Sequence, residues 1–151
     1  MPLGIILPTL TLVALIFVVW IAMFVTRFHH MKRIPPSAED FASGDAAMRY
    51  FAPVEMPANN YRNLFEMPVL YFALVPLLIL SNTANLVQVT LAWSYVFLRI
   101  LHSYVHIGPK NVRLRAIIYL LSSLVLLAMW IGFGIDVAVL PTAYADAPTP
   151  L

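Results

Sequence analysis

Cysteine is absent from the 151-residue chain. Without thiols the protein forms no disulfides and offers no thiolate to a metal, and its redox compartment is not indicated. Four histidines are present, and two of them, His29 and His30, are adjacent. Adjacent side chains point apart on a helix, so this pair does not suit a shared metal ion. The sequence therefore predicts no metal site.

Charge is also scarce, since only 11% of the residues are charged while 62% are hydrophobic. An ordinary soluble domain is about 25% charged. The formal net charge is +2, and the basic residues are dispersed along the chain, which argues against a nucleic-acid-binding surface. The composition predicts an integral membrane protein in contact with membrane lipids and without a nucleic-acid partner.

Four apolar runs occur, at about residues 3–26, 64–80, 86–107 and 116–135. Each approaches the ~20 residues that a helix needs to cross a bilayer core. The second run is the shortest and contains Pro68 and Pro76, which favour kinks. We therefore predict an all-α fold with four transmembrane helices, at about 3–27, 61–80, 85–108 and 113–137. These helices form a single domain, residues 1–140, with a loop at about 28–60 and a disordered tail at 141–151.

The basic residues predict the orientation of these helices. No Lys or Arg precedes the first run and no small-residue cleavage site follows it, so we expect a retained helix rather than a signal peptide. Ser37 and Asp40 resemble a capping box at the start of a short helix in the first loop. Lys and Arg accumulate on the cytoplasmic side of membrane proteins. Both termini are therefore expected outside the cytoplasm, because the basic residues lie in or beside the first and third loops, as do Lys32, Arg33, Arg49, Lys110 and Arg113.

Polar residues interrupt the apolar runs at positions that share helical faces. Arg99 lies within the third run, and His102 and His106 follow it at three and seven residues. A guanidinium in hydrocarbon costs at least ~2.5 kcal/mol, so such a residue usually faces other helices or a wet cavity. Spacings of three, four and seven residues place each set on one helical face. A shared pocket of mixed charge is predicted, with further polar residues from the second and fourth runs: Asn63, Glu66, Arg115 and Tyr119.

Purely structural roles also fit these residues. An ion pair between Glu66 and Arg99 would fix the register of two helices. His102 would act as an interhelical hydrogen-bonding residue, and His106 near the membrane surface needs no partner. Contacts with lipid headgroups would account for the basic residues around the third loop, namely Lys110, Arg113 and Arg115.

Three segments resemble the MAPEG family, the membrane-associated proteins in eicosanoid and glutathione metabolism. The first is Arg62-Asn63-Leu-Phe-Glu66, the second is Arg99-Ile-Leu-His102, and the third extends from Asn111 through Arg115 to Tyr119. The likeness extends over about residues 10–135. It implies a four-helix bundle that assembles as a homotrimer and binds glutathione between subunits, near the cytoplasmic side.

The resemblance also implies which residues bind glutathione. Arginines would clamp its two carboxylates, while Glu66 would accept its ammonium group. Arg115 matches the arginine that activates the thiol and is the predicted catalytic residue. Arg99 and His106 share the face of His102 and are included in the predicted binding set, which is Arg27, Arg62, Asn63, Glu66, Arg99, His102, His106 and Tyr119.

Three positions depart from the pattern of the relatives. His106 replaces a tyrosine, Ala116 replaces the serine after the thiol-activating arginine, and Asn111 replaces a basic residue. Two functions therefore remain open. One is a glutathione-dependent transferase or peroxidase that acts on lipophilic electrophiles arriving through the bilayer. The other is a noncatalytic lipid-binding or scaffold protein. The absence of an ER-retention tail and the Ala- and Pro-rich C-terminus favour a bacterial inner-membrane protein.

Overall fold

The structure, a computed structural model, describes residues 2–109 and 111–145. These residues form helices and connecting turns, without a strand among them. Six α-helices occur among the described residues, in chain order: α1 (Pro2–Arg33), α2 (Gly44–Phe51), α3 (Met56–Asn63), α4 (Met67–Leu80), α5 (Leu86–Ile107) and α6 (Val112–Ala145). Short 3₁₀ helices at Glu39–Phe41 and Ala52–Val54 flank α2.

The first helix is longer than the sequence analysis predicted. It continues beyond residue 27 to Arg33, into the segment expected to be a loop. Between residue 27 and Pro35 the sequence contains no proline or glycine that would end the helix. Lys32 and Arg33 lie in its last turn, where positive charge interacts favourably with the helix dipole.

Local hydrogen bonds organise the segment that follows α1. The Ser37 backbone N–H and hydroxyl both donate to Asp40 Oδ2, each at 2.8 Å, so the expected contact between these residues forms. Both bonds hold the pKa of the Asp40 carboxyl below its usual range, and the bond from the Ser37 backbone N–H has the larger effect. Ser43 caps α2 by accepting a hydrogen bond from the Ala46 N–H at 3.1 Å. The segment is therefore a set of capped short helices rather than an open loop.

The second predicted helix is divided into α3 and α4. Residues 64–66 form a turn and a bend between Asn63 and Met67. Pro68 lies in the first turn of α4, where its missing N–H breaks no helical hydrogen bond. The carbonyl groups at the end of α3 accept hydrogen bonds from the N–H groups of residues 64–66, and the bond from the Glu66 N–H to the Asn63 carbonyl oxygen is long, at 3.5 Å.

Four helices supply the apolar core. α5 packs extensively against α6 and α1, and α4 contacts both α1 and α6. Gln88 on α5 donates from Nε2 to the Met129 carbonyl oxygen at 3.0 Å, in the seam with α6. The fully buried core side chains come from α1, α4, α5 and α6: Ile5, Leu12, Tyr71, Leu74, Leu78, Ala92, Tyr95, Val96 and Met129.

Three helical stretches among the described residues are long and apolar enough to cross a membrane: Gly4–Arg33, Met56–Leu80 and Val112–Val139. The second includes α3, the bend and α4. α5 has 22 residues but is not one of the three, because polar residues such as Gln88, Arg99 and His102 lower its hydropathy. The structure therefore describes a membrane protein with three candidate spans, and the fourth span stays a prediction.

The last helix is also longer than predicted, since α6 continues beyond residue 137 to Ala145. It therefore enters the segment 141–151 that was expected to be disordered. Ala138, Ala143 and Ala145 lie in this extension, and alanine has the highest helix propensity. Residues 146–151 and Lys110 lie outside the described part of the chain, so the expectations for them are not addressed.

Candidate functional site

Five of the predicted site residues line one surface cavity of about 260 Å³. Asn63 ends α3, and Glu66 lies in the bend before α4. His102 projects from α5, while α6 supplies the remaining lining residues. Three helices and a bend therefore converge here, although Asn63 and Glu66 do not lie on one helical face as predicted. The complete lining is Asn63, Glu66, His102, Arg115, Ala116 and Tyr119.

Arg99 lies behind this cavity and is fully buried. Its Nη2 donates to the Asn63 carbonyl oxygen at 3.1 Å, and its guanidinium carbon lies 5.4 Å from the centre of the Tyr119 ring. The suggested ion pair with Glu66 does not form, since the ion pair among the described residues joins Arg27 to Glu55. Arg99 thus binds the end of α3 and stacks on one wall of the cavity.

His106 contacts the predicted catalytic residue. Its Nε2 lies 3.1 Å from Arg115 Nη1. The side chain is buried, and its ring centre lies 5.6 Å from that of His102. The suggestion that His106 needs no partner near the membrane surface is therefore wrong, because Arg115 in the first turn of α6 reaches back to the end of α5.

The remaining two predicted residues, Arg27 and Arg62, line a different cavity of about 390 Å³ between α1 and α3. Arg27 Nη2 lies 3.4 Å from Glu55 Oε1, and its guanidinium carbon is 4.8 Å from the centre of the Phe51 ring. The structure therefore distributes the predicted binding set over two cavities of one chain, with Arg99 and His106 behind the smaller cavity.

Sequence reasoning missed two of these partners and a helix cap. Glu55 was not predicted, because it is 28 residues from Arg27 and no helical spacing relates the two. The contact of Phe51 with Arg27 was not predicted for the same reason, because no helical spacing relates these two residues. Asn111, noted only as a departure, caps α6 by accepting a hydrogen bond from the Leu114 N–H at 3.1 Å. A cap is the ordinary role of an asparagine before a helix, so the sequence did carry that signal.

His29 and His30 have separate partners. His29 Nδ1 lies 2.8 Å from the Val25 carbonyl oxygen, one turn back in α1. His30 Nε2 lies 2.9 Å from the Tyr50 carbonyl oxygen in α2. The His29 imidazole thus contacts the preceding turn of α1, and the His30 imidazole connects α1 to α2.

The chemistry of the smaller cavity suits a zwitterionic ligand. Glu66 can accept hydrogen bonds from an ammonium group, and Arg115 can donate to a carboxylate or a thiolate. Asn63 and Tyr119 add neutral donors and acceptors. The cavity opens at the surface beside apolar helices, so a polar ligand and an apolar partner could meet there.

The helices and the site define a helical membrane protein with a charged cavity near one end of its apolar helices. The profile of the MAPEG family matches residues 5–135, and the chain belongs to that family. The curated proteins and the solved structures gave no significant match. Family membership places the chain among membrane proteins of glutathione and eicosanoid metabolism.

Proposed function

We propose that the protein is a glutathione-dependent transferase or peroxidase that acts on lipophilic electrophiles within the membrane. The observation that carries this proposal is the joint lining of one cavity by a carboxylate, Glu66, and a guanidinium, Arg115. Glutathione offers the complementary groups, since it has one ammonium, two carboxylates and a thiol. Membership of the MAPEG family supports the choice of glutathione over other zwitterions.

The size of the cavity favours an assembly. At about 260 Å³ it is smaller than the ~300 to 1,000 Å³ of typical ligand pockets. Glu66 is exposed in the single chain, so a second subunit is needed to enclose a tripeptide. The cavity with Arg27 and Arg62 supplies cationic groups for the second carboxylate. We therefore propose a homotrimer with glutathione held between subunits.

The proposed topology has four spans. α5 is 22 residues long, or about 33 Å, which matches the ~30 Å hydrocarbon core of a bilayer. Its buried polar residues Arg99, His102 and His106 face other helices rather than lipid. The cavity then lies near the cytoplasmic side, with both termini outside the cytoplasm, in a bacterial inner membrane.

Arg115 is the proposed catalytic residue. A positive charge near sulfur stabilises the thiolate, which is the reactive form of the thiol. In a transfer reaction the thiolate gives an electron pair to an electrophilic carbon, and the leaving group departs with its bonding pair. In a peroxidase reaction two glutathione molecules reduce a hydroperoxide to an alcohol and water and leave as the disulfide.

The apolar surface of α1 provides a route for a lipophilic partner. Four aromatic side chains on this helix are between 40% and 60% exposed and follow one another at spacings of three or four residues: Phe17, Trp20, Phe24 and Phe28. Such a stripe suits lipid, a neighbouring subunit or an apolar substrate. Substrate would then reach the site from the bilayer rather than from water.

Calorimetry of the detergent-solubilised protein with glutathione tests the proposal, together with native mass spectrometry for the trimer. We expect saturable binding and, with an aryl halide, formation of the thioether. Binding without turnover would favour the noncatalytic lipid-binding or scaffold function, for which the missing hydroxyl at Ala116 is the supporting observation. If the folded protein does not bind glutathione, both the proposed enzymatic activity and the assignment of glutathione as its cofactor are wrong.

A further inference from the structure

We infer that His106 is a positioning residue, which holds the Arg115 guanidinium at the cavity through a hydrogen bond accepted by its Nε2. The inference rests on the proposed glutathione site for its effect on function, but the contact itself exists without any ligand. The two nitrogens are 3.1 Å apart. Arg115 lines the cavity, whereas His106 lies behind it and does not.

The chemistry of the two groups fixes the protonation state of His106. A guanidinium has only donors, so a hydrogen bond between the two requires a free lone pair on Nε2. The imidazole is therefore neutral and carries its proton on Nδ1. That nitrogen is buried and has no hydrogen-bond partner among the described residues. Among the described residues, no hydrogen bond at Nδ1 therefore opposes the ring orientation that places Nε2 against Arg115.

The charges around His106 favour the same state. Arg99 and His102 approach it along α5, and Arg115 approaches it from α6. No carboxylate forms an ion pair with His106 among the described residues. If His106 were an imidazolium, its Nε2–H would face an N–H of the guanidinium and no hydrogen bond would form. The two positive charges would also repel each other and push Arg115 away from His106.

The turn between α5 and α6 brings the two residues together. A side chain at Gly108 would place its Cβ 3.0 Å from the Tyr104 carbonyl oxygen, so glycine avoids a close contact in this turn. The Asn111 cap then starts α6 at once, with Arg115 in the first turn. His106 in the last turn of α5 and Arg115 are nine residues apart, yet their side chains meet across this turn.

Function would depend on this contact because a free arginine side chain samples many rotamers. Fixing one guanidinium nitrogen on His106 reduces the entropy that Arg115 loses when it binds a ligand. We therefore expect His106 to increase the affinity for a negatively charged sulfur and to lower the pKa of bound glutathione thiol, without touching the ligand.

Two matched substitutions separate this role from simple packing. In His106→Gln the side-chain amide oxygen takes the place of Nε2 and can accept from Arg115. In His106→Asn the polar group reaches only as far as Nδ1, so the contact is lost. The probe is glutathione sulfonate, whose sulfur group is permanently negative, measured by calorimetry. We expect His106→Gln to stay within about threefold of the parent and His106→Asn to lose about tenfold or more.

The ultraviolet absorbance of bound glutathione thiolate provides the second measurement. Its titration midpoint should rise in His106→Asn and return towards the parental value in His106→Gln. Equal losses in both variants, with folding and assembly intact, would show that His106 only fills space. Unchanged affinity and midpoint in His106→Asn would also overturn the inference.

Ligand-free nitrogen NMR of the histidines, with the protein in nanodiscs, keeps the inference testable if the Asn variant fails to fold. The signal of His106 is assigned by its loss in His106→Gln. We expect a neutral ring with Nδ1 protonated, and a shift of the Nε2 signal in Arg115→Ala. An imidazolium or an Nε2-protonated ring at neutral pH would refute the contact. If NMR shows the contact while glutathione sulfonate does not bind, the proposed function fails and the contact stands.

Discussion

Arg99 Nη2 donates a hydrogen bond to the backbone carbonyl oxygen of Asn63 at 3.1 Å, from a side chain that is fully buried. The acceptor lies at the end of α3, where helical carbonyl groups have no partner within the helix. The bond therefore anchors the bend that carries Glu66 into the cavity. A charge that the sequence suggested as part of an ion pair acts instead on the backbone.

Replacing Arg99 tests this anchoring. We expect Arg99→Leu to loosen the bend, because the Asn63 carbonyl oxygen loses its shorter hydrogen bond and keeps only the 3.5 Å bond from the Glu66 N–H. A hydrogen bond to a charged group contributes ~1.5 to 3 kcal/mol, but loss of a buried charge offsets part of this cost. Hydrogen exchange at residues 64–66 should accelerate, while the melting temperature changes little.

The exposed Arg49 on α2 provides a control for loss of charge, as Arg49→Leu should leave exchange at the bend unaltered. If Arg99→Leu exchanges at residues 64–66 as slowly as the parent, the hydrogen bond does not hold the bend. Because exchange needs no ligand, this result is independent of the proposed glutathione site.

A second prediction concerns the seam between α5 and α6. A Cβ at Gly132 would lie 3.0 Å from Gln88 Nε2, whereas a Cβ at Gly134 would meet nothing within 4 Å. Gly132→Ala should displace the bond from Gln88 to the Met129 carbonyl oxygen and lower the melting temperature. Gly134→Ala should be neutral or stabilising by up to ~1 kcal/mol, because alanine favours a helix. A Gly132→Ala protein as stable as Gly134→Ala would contradict the close packing of this seam.

The long apolar runs of the sequence predicted the helices that supply the core. α5 extends from Leu86 to Ile107, within one residue of the prediction at both ends. A separate signal, the spacing of polar residues, predicted a shared cavity, which Glu66, His102 and Arg115 do line. The spacing of side chains on a helix determines which of them face the same way, whereas Glu66 reaches the cavity from the bend before α4.

The contacts that the sequence did not predict involve partners without a periodic relation. The acceptor for Arg99 is a backbone carbonyl group, which every residue has and no residue type marks. Glu55 meets Arg27 only because α3 folds back on α1. The bend at residues 64–66 also escaped prediction, although Pro68 marks the start of a helix as readily as a kink in one.

The proposed topology predicts opposite accessibility for two exposed positions. Ser43 lies in the segment between α1 and α3, and Leu86, which is 80% exposed, begins α5. The chain has no cysteine, so Ser43→Cys and Leu86→Cys each introduce a single thiol. In cells, a membrane-impermeant maleimide should label Leu86→Cys from outside the cytoplasm and Ser43→Cys only after permeabilisation. If Ser43→Cys and Leu86→Cys are labelled from the same side of the membrane, the two positions are not separated by an odd number of spans and the proposed topology is wrong.

The last prediction separates binding from thiol activation at the two charged residues of the cavity. Glu66→Gln removes the partner of the glutathione ammonium, and Arg115→Ala removes a donor to its carboxylate or thiolate. Each loss should cost ~1.5 to 3 kcal/mol, as for hydrogen bonds to charged groups. The affinity measured by calorimetry should therefore fall about tenfold to a hundredfold in both variants.

Only Arg115→Ala should also raise the pH at which bound thiolate absorbs in the ultraviolet, because a nearby positive charge stabilises the thiolate. Glu66→Gln should leave that pH unchanged. Exposed residues of the same types provide the controls, namely Glu39→Gln beside α2 and Arg113→Ala two residues before Arg115. These controls should bind glutathione as the parent does. If Glu66→Gln and Arg115→Ala fold, trimerise and bind as tightly as their controls, the cavity charges hold helices together rather than a substrate, and the transferase proposal is wrong.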